Sequence, residues 1–160
     1  MINVIIVSDN NQWNKRIKKK FFFKSLVSFF PKKYKFIGKK IGLTILLSNN
    51  KNIKKINKKF RNKNKATDIL SFPNEKKFNK DKSNYLGDMV ISYDYINRPK
   101  SISSLDFKQK LTKIFIHGFL HLLNYDHIRL KDFKRMLKEE EKIFNNLESK
   151  IKKNCLKKII

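Results

Sequence analysis

Apolar residues recur along this chain with two spacings, one typical of strands and the other typical of helices. Short β-branched runs bounded by polar residues predict strands at 2–7, 41–47, 67–72 and 85–92. Apolar residues three and four positions apart predict helices at 17–30, 51–60, 103–123 and 131–147, with a brief helical turn at 92–98. Strands that alternate with helices in this way predict a single α/β domain.

Capping residues mark the predicted ends of the helices. Pro31 ends the first helix, whose phenylalanines we expect in the core. Asn50 is expected to cap the helix that follows it. Ser103 and Asp106 have the serine-then-acid spacing of a capping box, which predicts the start of the helix 103–123. From residue 114 onward that helix is apolar on nearly every side, as expected of a buried central helix.

The last predicted helix has an apolar face and an acidic run. Its inward face is expected to carry Phe133, Met136, Leu137, Ile143 and Phe144. The acidic run, Glu139, Glu140 and Glu141, is expected to be a solvated face held by salt bridges.

The length of 160 residues and the 40% of hydrophobic residues fit one globular domain with its own core. We place this domain at residues 1–150, with a polar, mobile loop at 74–84, and assign residues 151–160 to a basic C-terminal tail. Cys155 is the only cysteine, which excludes an intramolecular disulfide and fits a reducing cytosol. No signal peptide is visible, and the richest apolar run, 21–31, is shorter than the roughly 20 residues of a membrane span. A cytoplasmic protein without a membrane partner is therefore predicted.

The charge balance is strongly basic, with 39 Lys and Arg against 13 Asp and Glu and a net charge of +26. A chain with this charge binds polyanions through counterion release, so nucleic acid is the expected partner. Lysine, asparagine, isoleucine and phenylalanine are abundant together, which is typical of an A+T-rich coding sequence. Part of the charge is therefore compositional, and the charge supports a nucleic-acid partner without proving one.

All three histidines lie within eleven residues. His117 and His121 are four residues apart, so on a helix they face the same side. His127 reaches them only if the helix ends and the chain turns back, and Asn124 tolerates the left-handed conformation that such a turn needs. Three neutral imidazoles that converge on one point are the ligand set of a zinc site with an open coordination position. The alternative is a helix with incidental polar residues.

The spacing of the histidines also resembles that of a metallopeptidase motif, HExxHxxGxxH. That motif needs a glutamate directly after the first histidine as the general base, and this chain has Gly118 there. The glycine of the motif is replaced by Asn124. A peptidase is therefore the weaker alternative.

Phosphoryl transfer fits the remaining residues better. It needs a group that positions the phosphate and stabilises its charge, which a metal ion and an arginine supply together. Arg61 follows a predicted helix and lies among Lys58, Lys59, Lys63 and Lys65. Its planar, bidentate donor group suits a phosphate, although composition alone equally allows one more surface cation.

Three segments together resemble the YbeY family of zinc-dependent endoribonucleases, which are ribosomal RNA maturation factors. The resemblance rests on Phe60-Arg61 with KATDILSFP (65–73), on LGDMVIS (86–92) and on HGFLHLLNYDH (117–127). It spans nearly the whole chain. Asn124, Ala66 and Phe60 stand where the family usually has glycine, proline and tyrosine.

The resemblance implies an α/β fold in which a small mixed sheet of about four strands is packed by about five helices, with a zincin-like metal site on a buried helix. It implies one zinc ion held by His117, His121 and His127, and a catalytic role for Arg61. It also implies cleavage of single-stranded RNA, in maturation of the 3′ end of 16S rRNA on the small ribosomal subunit and in ribosome quality control, with no DNA substrate.

The sequence thus predicts a zinc-dependent endoribonuclease. Arg61 would bind the scissile phosphate, and the lysine-rich surface would follow the RNA backbone. The alternatives are a metallopeptidase-like hydrolase and a non-catalytic ribosome assembly factor with structural zinc. The last alternative would gain support if Asp126 were a fourth ligand, because structural zinc sites usually have four protein ligands.

Overall fold

The computed structural model describes residues 1–74 and 84–152, with side chains up to residue 148. Four strands form one sheet in the order β1-β2-β4-β3, where the strands are β1 (Ile2–Ser8), β2 (Ile41–Ser48), β3 (Ile69–Pro73) and β4 (Tyr85–Ser92). β2 is parallel to both β1 and β4, whereas β3 is antiparallel to β4. The predicted α/β fold with a small mixed sheet is confirmed.

Five α-helices pack around this sheet, as predicted: α1 (Lys19–Ser28), α2 (Asn50–Arg61), α3 (Tyr93–Ile96), α4 (Ser104–Leu122) and α5 (Leu130–Lys152). The predicted helix 17–30 is therefore shorter than expected. A 3-10 helix, Asn11–Lys15, precedes it and was not predicted. This turn buries Trp13, whose indole N–H donates to the Ser48 carbonyl at 3.1 Å.

The two faces of the sheet are covered unequally. The large core lies between the sheet and α1, α4 and α5, and it is rich in edge-to-face phenylalanine pairs such as Phe23–Phe115 (5.2 Å) and Phe30–Phe119 (4.9 Å). On the other face α2 packs Ile53 against the sheet in a smaller cluster. The carboxyl ends of α2 and α4 lie together at one cleft. The edge strand β3 follows α2 in the chain and packs under α4, which brings the two helix ends together.

The cap of α2 differs from the prediction by one residue. Asn49, in an extended conformation, accepts a hydrogen bond from the Asn52 backbone N–H at 2.9 Å and is the N-cap, whereas Asn50 is the first helical residue. The cap of α4 is as predicted, because the Ser103 hydroxyl accepts from the Asp106 N–H at 3.0 Å. Ser103 also donates to the Asp106 carboxylate at 2.7 Å.

The predicted inward face of α5 is partly wrong. Met136 and Ile143 are buried and Phe144 packs at the edge of the core, but Phe133 and Leu137 are 46% and 41% exposed. At 100° per residue, Leu137 lies about 100° around the helix from Met136, and Glu140 only about 40°. The helix therefore turns Glu140 toward α4 and leaves Leu137 at the surface.

Some predictions concern residues outside the described part of the chain. Most of the loop expected at 74–84 lies there, and so do Cys155 and most of the basic tail at 151–160. Within the described ranges, no helix combines the length and the apolar character that crossing a membrane requires.

Candidate metal centre

Two of the three histidines lie one turn apart near the carboxyl end of α4. His117 and His121 project into the same cleft, and their Nε2 atoms are 3.0 Å apart. α4 is a rigid support for them, because the side chains around them on this helix, including Phe115 and Phe119, are fully buried.

The chain reverses directly after α4, as predicted. Asn124 has a φ of 62°, in the left-handed region. Its N–H donates to the His121 carbonyl at 2.9 Å, and the Tyr125 N–H donates to the Leu120 carbonyl at 3.0 Å. These two bonds form a Schellman motif, which closes the helix and turns the chain back. The prediction that Asn124 makes this turn is confirmed.

The reversal brings the third histidine to the first two. The His127 ring centroid lies 5.3 Å from that of His117 and 5.0 Å from that of His121. One ligand nitrogen from each ring lies within 4.8 Å of the others, a group that could hold a metal ion. His127 is exposed, so the group opens to solvent on one side.

Hydrogen bonds behind the rings orient two of the imidazoles. The Nδ1 atom of His117 is 2.7 Å from Glu140 Oε1, and the Nδ1 atom of His121 is 2.9 Å from the Tyr125 carbonyl oxygen. Each acceptor favours the tautomer with the proton on Nδ1, and both Nε2 lone pairs then point to one place. A carboxylate or a carbonyl behind a ligating histidine is the usual outer support of a protein metal site. The donor set therefore fits a metal ion.

The surroundings of His121 favour its neutral form. Burial lowers the pKa of His121, and the nearby His117 lowers it further, while the Tyr125 carbonyl opposes this in part. A metal ion needs the neutral imidazole, so the folded protein already favours the binding form.

A polar network around the buried Tyr34 and Glu139 fixes the loop that supports His121. The Tyr34 hydroxyl donates to Glu139, and Lys33 donates to both Glu139 and the Tyr125 hydroxyl at 3.2 Å. The hydrogen bond from Tyr34 lowers the pKa of Glu139 to about 2, against the effect of burial and with help from neighbouring lysines. Tyr125 is thereby held at its side chain, while its carbonyl receives the His121 N–H.

The prediction of salt bridges on the acidic face is confirmed for Glu139, which pairs with Lys33 and Lys142, but the prediction that the face is solvated is wrong for this residue. Glu139 is 8% exposed within its network, and Glu140 contacts His117. Glu141 alone is exposed as expected. Sequence reasoning missed both roles, because nothing in the run itself distinguishes the glutamate that faces α4.

Gly118 lies where α4 crosses the sheet. A Cβ atom there would meet the side chain of Ile69 and would lie 2.8 Å from the Met89 sulfur and 3.0 Å from the Ser71 hydroxyl. Residue 118 therefore faces the sheet and has no room for a glutamate side chain. This packing argues against the peptidase alternative.

Asp126 lies outside the three-histidine group. Its carboxylate accepts a hydrogen bond from the His127 backbone N–H at 2.7 Å, a local bond that steadies the loop. Among the described histidine, cysteine and acidic side chains, the group contains the three imidazoles alone. This composition is typical of a site with an open position rather than of a closed structural site.

Arg61 is the last residue of α2 and shares a cleft of about 750 Å³ with the histidines. Asn62, with a φ of 54°, ends α2, and the Asn57 side-chain amide donates to the Lys65 carbonyl at 2.8 Å, which holds the following loop. Arg61 is exposed and makes no hydrogen bond or ion pair with the described residues. The remaining lining comes from Phe60, from the β3 segment and from the loop 124–128.

Comparison with known proteins agrees with this architecture. Residues 7–148 match the family model described as Endoribonuclease YbeY. The Endoribonuclease YbeY of Pelagibacter ubique is 68% identical over 152 residues, covering 94% of this chain and 99% of that protein. The one from Persephonella marina is 38% identical over 110 residues, covering 68% and 72%.

A solved structure supports the fold. The solution structure of TM1509 from Thermotoga maritima superposes with a TM-score of 0.53 at 23% identity, covering 96% of this chain and 93% of that one. This likeness concerns the fold, and the family match and the relatives confirm the resemblance found in the sequence. The chain belongs to the YbeY endoribonuclease family.

Proposed function

We propose that this protein is a metal-dependent endoribonuclease that hydrolyses phosphodiester bonds in single-stranded RNA. The observation that carries the proposal is the shared cleft, in which a three-imidazole group, open to solvent at His127, lies with an arginine that has no ion pair among the described residues. Its relatives are named endoribonucleases. The family resemblance extends the proposal to the 3′ end of 16S rRNA on the small ribosomal subunit, in the cytoplasm.

The metal in this proposal is one zinc ion held by His117, His121 and His127. Three neutral imidazoles are a typical ligand set of catalytic zinc. When bound, zinc supplies Lewis-acid polarisation of a phosphoryl oxygen and lowers the pKa of a coordinated water.

The protein's own groups do the positioning. Glu140 and the Tyr125 carbonyl hold two imidazoles in the tautomer that leaves Nε2 free. Arg61 binds the scissile phosphate with its planar pair of donors and stabilises the charge that builds up on the phosphate oxygens. Since Arg61 has no carboxylate partner among the described residues, its charge is available to the substrate.

Chelation tests the proposal directly. Purified protein loaded with zinc is expected to cut a fluorescent single-stranded RNA, to lose this activity after dialysis against a chelator, and to regain it with added zinc. A duplex of the same sequence is expected to survive. Cleavage that persists in metal-free protein would refute the metal dependence, and digestion of an unstructured protein in place of RNA would favour the peptidase alternative.

Replacing Glu140 by glutamine is expected to weaken metal binding about 10- to 100-fold, because loss of an outer partner of a ligating histidine has this effect. The matched control is Glu141→Gln, since Glu141 is the exposed neighbour on the same helix. Competition with a chromophoric chelator measures both affinities. Equal affinity in the two variants would show that the 2.7 Å contact of Glu140 with His117 does not support the metal.

A further inference from the structure

The outer face of α2 carries a row of cations that ends at the cleft. Lys51, Lys54, Lys58 and Arg61 are three or four residues apart, so they lie along one side of the helix, and all four are exposed. From Lys51 to Arg61 the row is about 15 Å long at 1.5 Å per residue. No acidic residue occurs anywhere between residues 50 and 67.

The charge of this row is not neutralised within the described structure. The ion pairs of Glu139 with Lys33 and Lys142 and of Glu140 with His117 involve α5, and no cation of α2 takes part in them. Two further exposed lysines, Lys55 and Lys59, flank the row. Six cations on three turns of helix, without a carboxylate partner among the described residues, attract a polyanion strongly and repel a second copy of the same surface.

An exposed aromatic ring lies where the row meets the cleft. Phe60 is 62% exposed although it is apolar, and it lines the cleft beside Arg61. Phe60 contacts Phe72 at a ring-centroid distance of 5.4 Å and an interplanar angle of 64°. The Lys59 ammonium lies over the Phe60 ring, 5.3 Å from its centroid, and the rest of the ring is open to solvent. Ile128, 84% exposed, lines the same cleft.

A phenyl ring with cations beside it suits an unpaired nucleotide. A nucleobase covers the ring, while the phosphates on either side of that base meet the cations. Phenylalanine has no polar group to read a base edge, so such stacking tolerates any base. A duplex keeps its bases stacked on one another and offers none to the ring.

We propose that single-stranded RNA reaches the cleft along the row Lys51–Lys54–Lys58–Arg61 and stacks a base next to the scissile phosphate on Phe60. This inference rests on the proposed function, because it takes the cleft to be the RNA site. It identifies the surface that guides the strand and the ring that selects unpaired RNA.

Equilibrium binding tests this path without any chemistry. A labelled single-stranded RNA is titrated with chelator-treated protein at several salt concentrations. Phe60→Ala is expected to weaken binding about 5- to 150-fold, the range for loss of one base stack. The matched control, Phe21→Ala, removes another half-exposed phenylalanine flanked by lysines, on α1 across the sheet. It is expected to bind RNA as the wild type does.

The row is tested by its salt dependence. Combined replacement of Lys51, Lys54 and Lys58 by glutamine is expected to reduce the slope of log affinity against log salt by about 2, at about 0.7 per contact. The control replaces Lys18, Lys20 and Lys24, three exposed lysines in and before α1, and is expected to leave the slope unchanged. Thermal unfolding confirms that each variant is folded.

Two results would overturn the path while leaving the endoribonuclease proposal intact. One is an RNA affinity of Phe60→Ala equal to that of the wild type. The other is an equal reduction of the salt-dependence slope in the α2 lysine variant and in its α1 control, which would show that RNA is attracted by the whole basic surface. Failure of the wild type to bind single-stranded RNA would instead overturn the proposed function, and the path with it.

Discussion

Replacing His121 by alanine is expected to remove the metal and to lower RNA cleavage by at least about 10²–10³-fold, the order of loss when a main electrostatic stabiliser of the transition state is removed. His121 is central to the group, because its Nε2 is 3.0 Å from that of His117 and its Nδ1 is held by the Tyr125 carbonyl. Two remaining imidazoles, one of them exposed, are too few protein ligands for a typical zinc site. Alanine is a good helix former, so α4 is expected to remain folded.

The matched control is Asp126→Ala, an exposed acidic residue in the loop between His121 and His127. It is expected to keep one metal per chain, because its carboxylate bonds to the His127 backbone and lies outside the three-histidine group. Metal content by elemental analysis and cleavage by gel assay are measured on the same preparations. Metal-loaded, active His121→Ala would refute the ligand assignment, and metal loss in Asp126→Ala would revive a four-ligand, structural site.

Much of this site could be predicted because its signals are local. The four-residue spacing of His117 and His121 follows from helix geometry alone. The turn at Asn124 follows from the few residue types that accept a positive φ, and the observed value of 62° agrees. His127 follows this turn after only a few residues. Its approach to the other two histidines could therefore be predicted without knowledge of the rest of the fold.

The outer support of the site could not be predicted, because it depends on how one helix rotates against another. Glu140 contacts His117 only because α5 packs through the row that includes Met136 and Ile143, which turns position 140 toward α4. The sequence pattern placed Leu137 inward instead. The rotation of a helix about its own axis is decided by the packing of the whole core. Where apolar residues lie on both sides of the apolar stripe, the sequence pattern does not specify which side faces the core.

The grouping of Arg61 with the histidines depends on the tertiary fold. No local pattern connects the end of α2 with the end of α4, and charge alone did not separate Arg61 from the surrounding lysines. The two helix ends meet because β3 follows the α2 loop and packs under α4, with Ile69 and Ser71 close to Gly118. The planar donor group of Arg61 made it a candidate to bind phosphate beside the metal, and the family resemblance added support for this grouping.

Replacing Arg61 by alanine is expected to leave folding and metal content unchanged and to slow cleavage by about 10²–10³-fold. The protein loses no internal interaction, since Arg61 is exposed and has no hydrogen bond or ion pair within the described chain. The substitution removes stabilisation of the transition state, in which the charge on the phosphate oxygens is greatest. Single-turnover cleavage at saturating protein separates this effect from weaker RNA binding.

Two further variants decide how Arg61 acts. Arg61→Lys keeps the charge but loses the planar pair of donors, so recovery of only part of the rate indicates bidentate contact with the phosphate. Lys63→Ala removes an exposed charge two residues away and is expected to change cleavage little. If Arg61→Ala and Lys63→Ala cut RNA equally well, Arg61 is one more surface cation. If Arg61→Lys restores the full rate, the positive charge alone is what the cleft requires at this position.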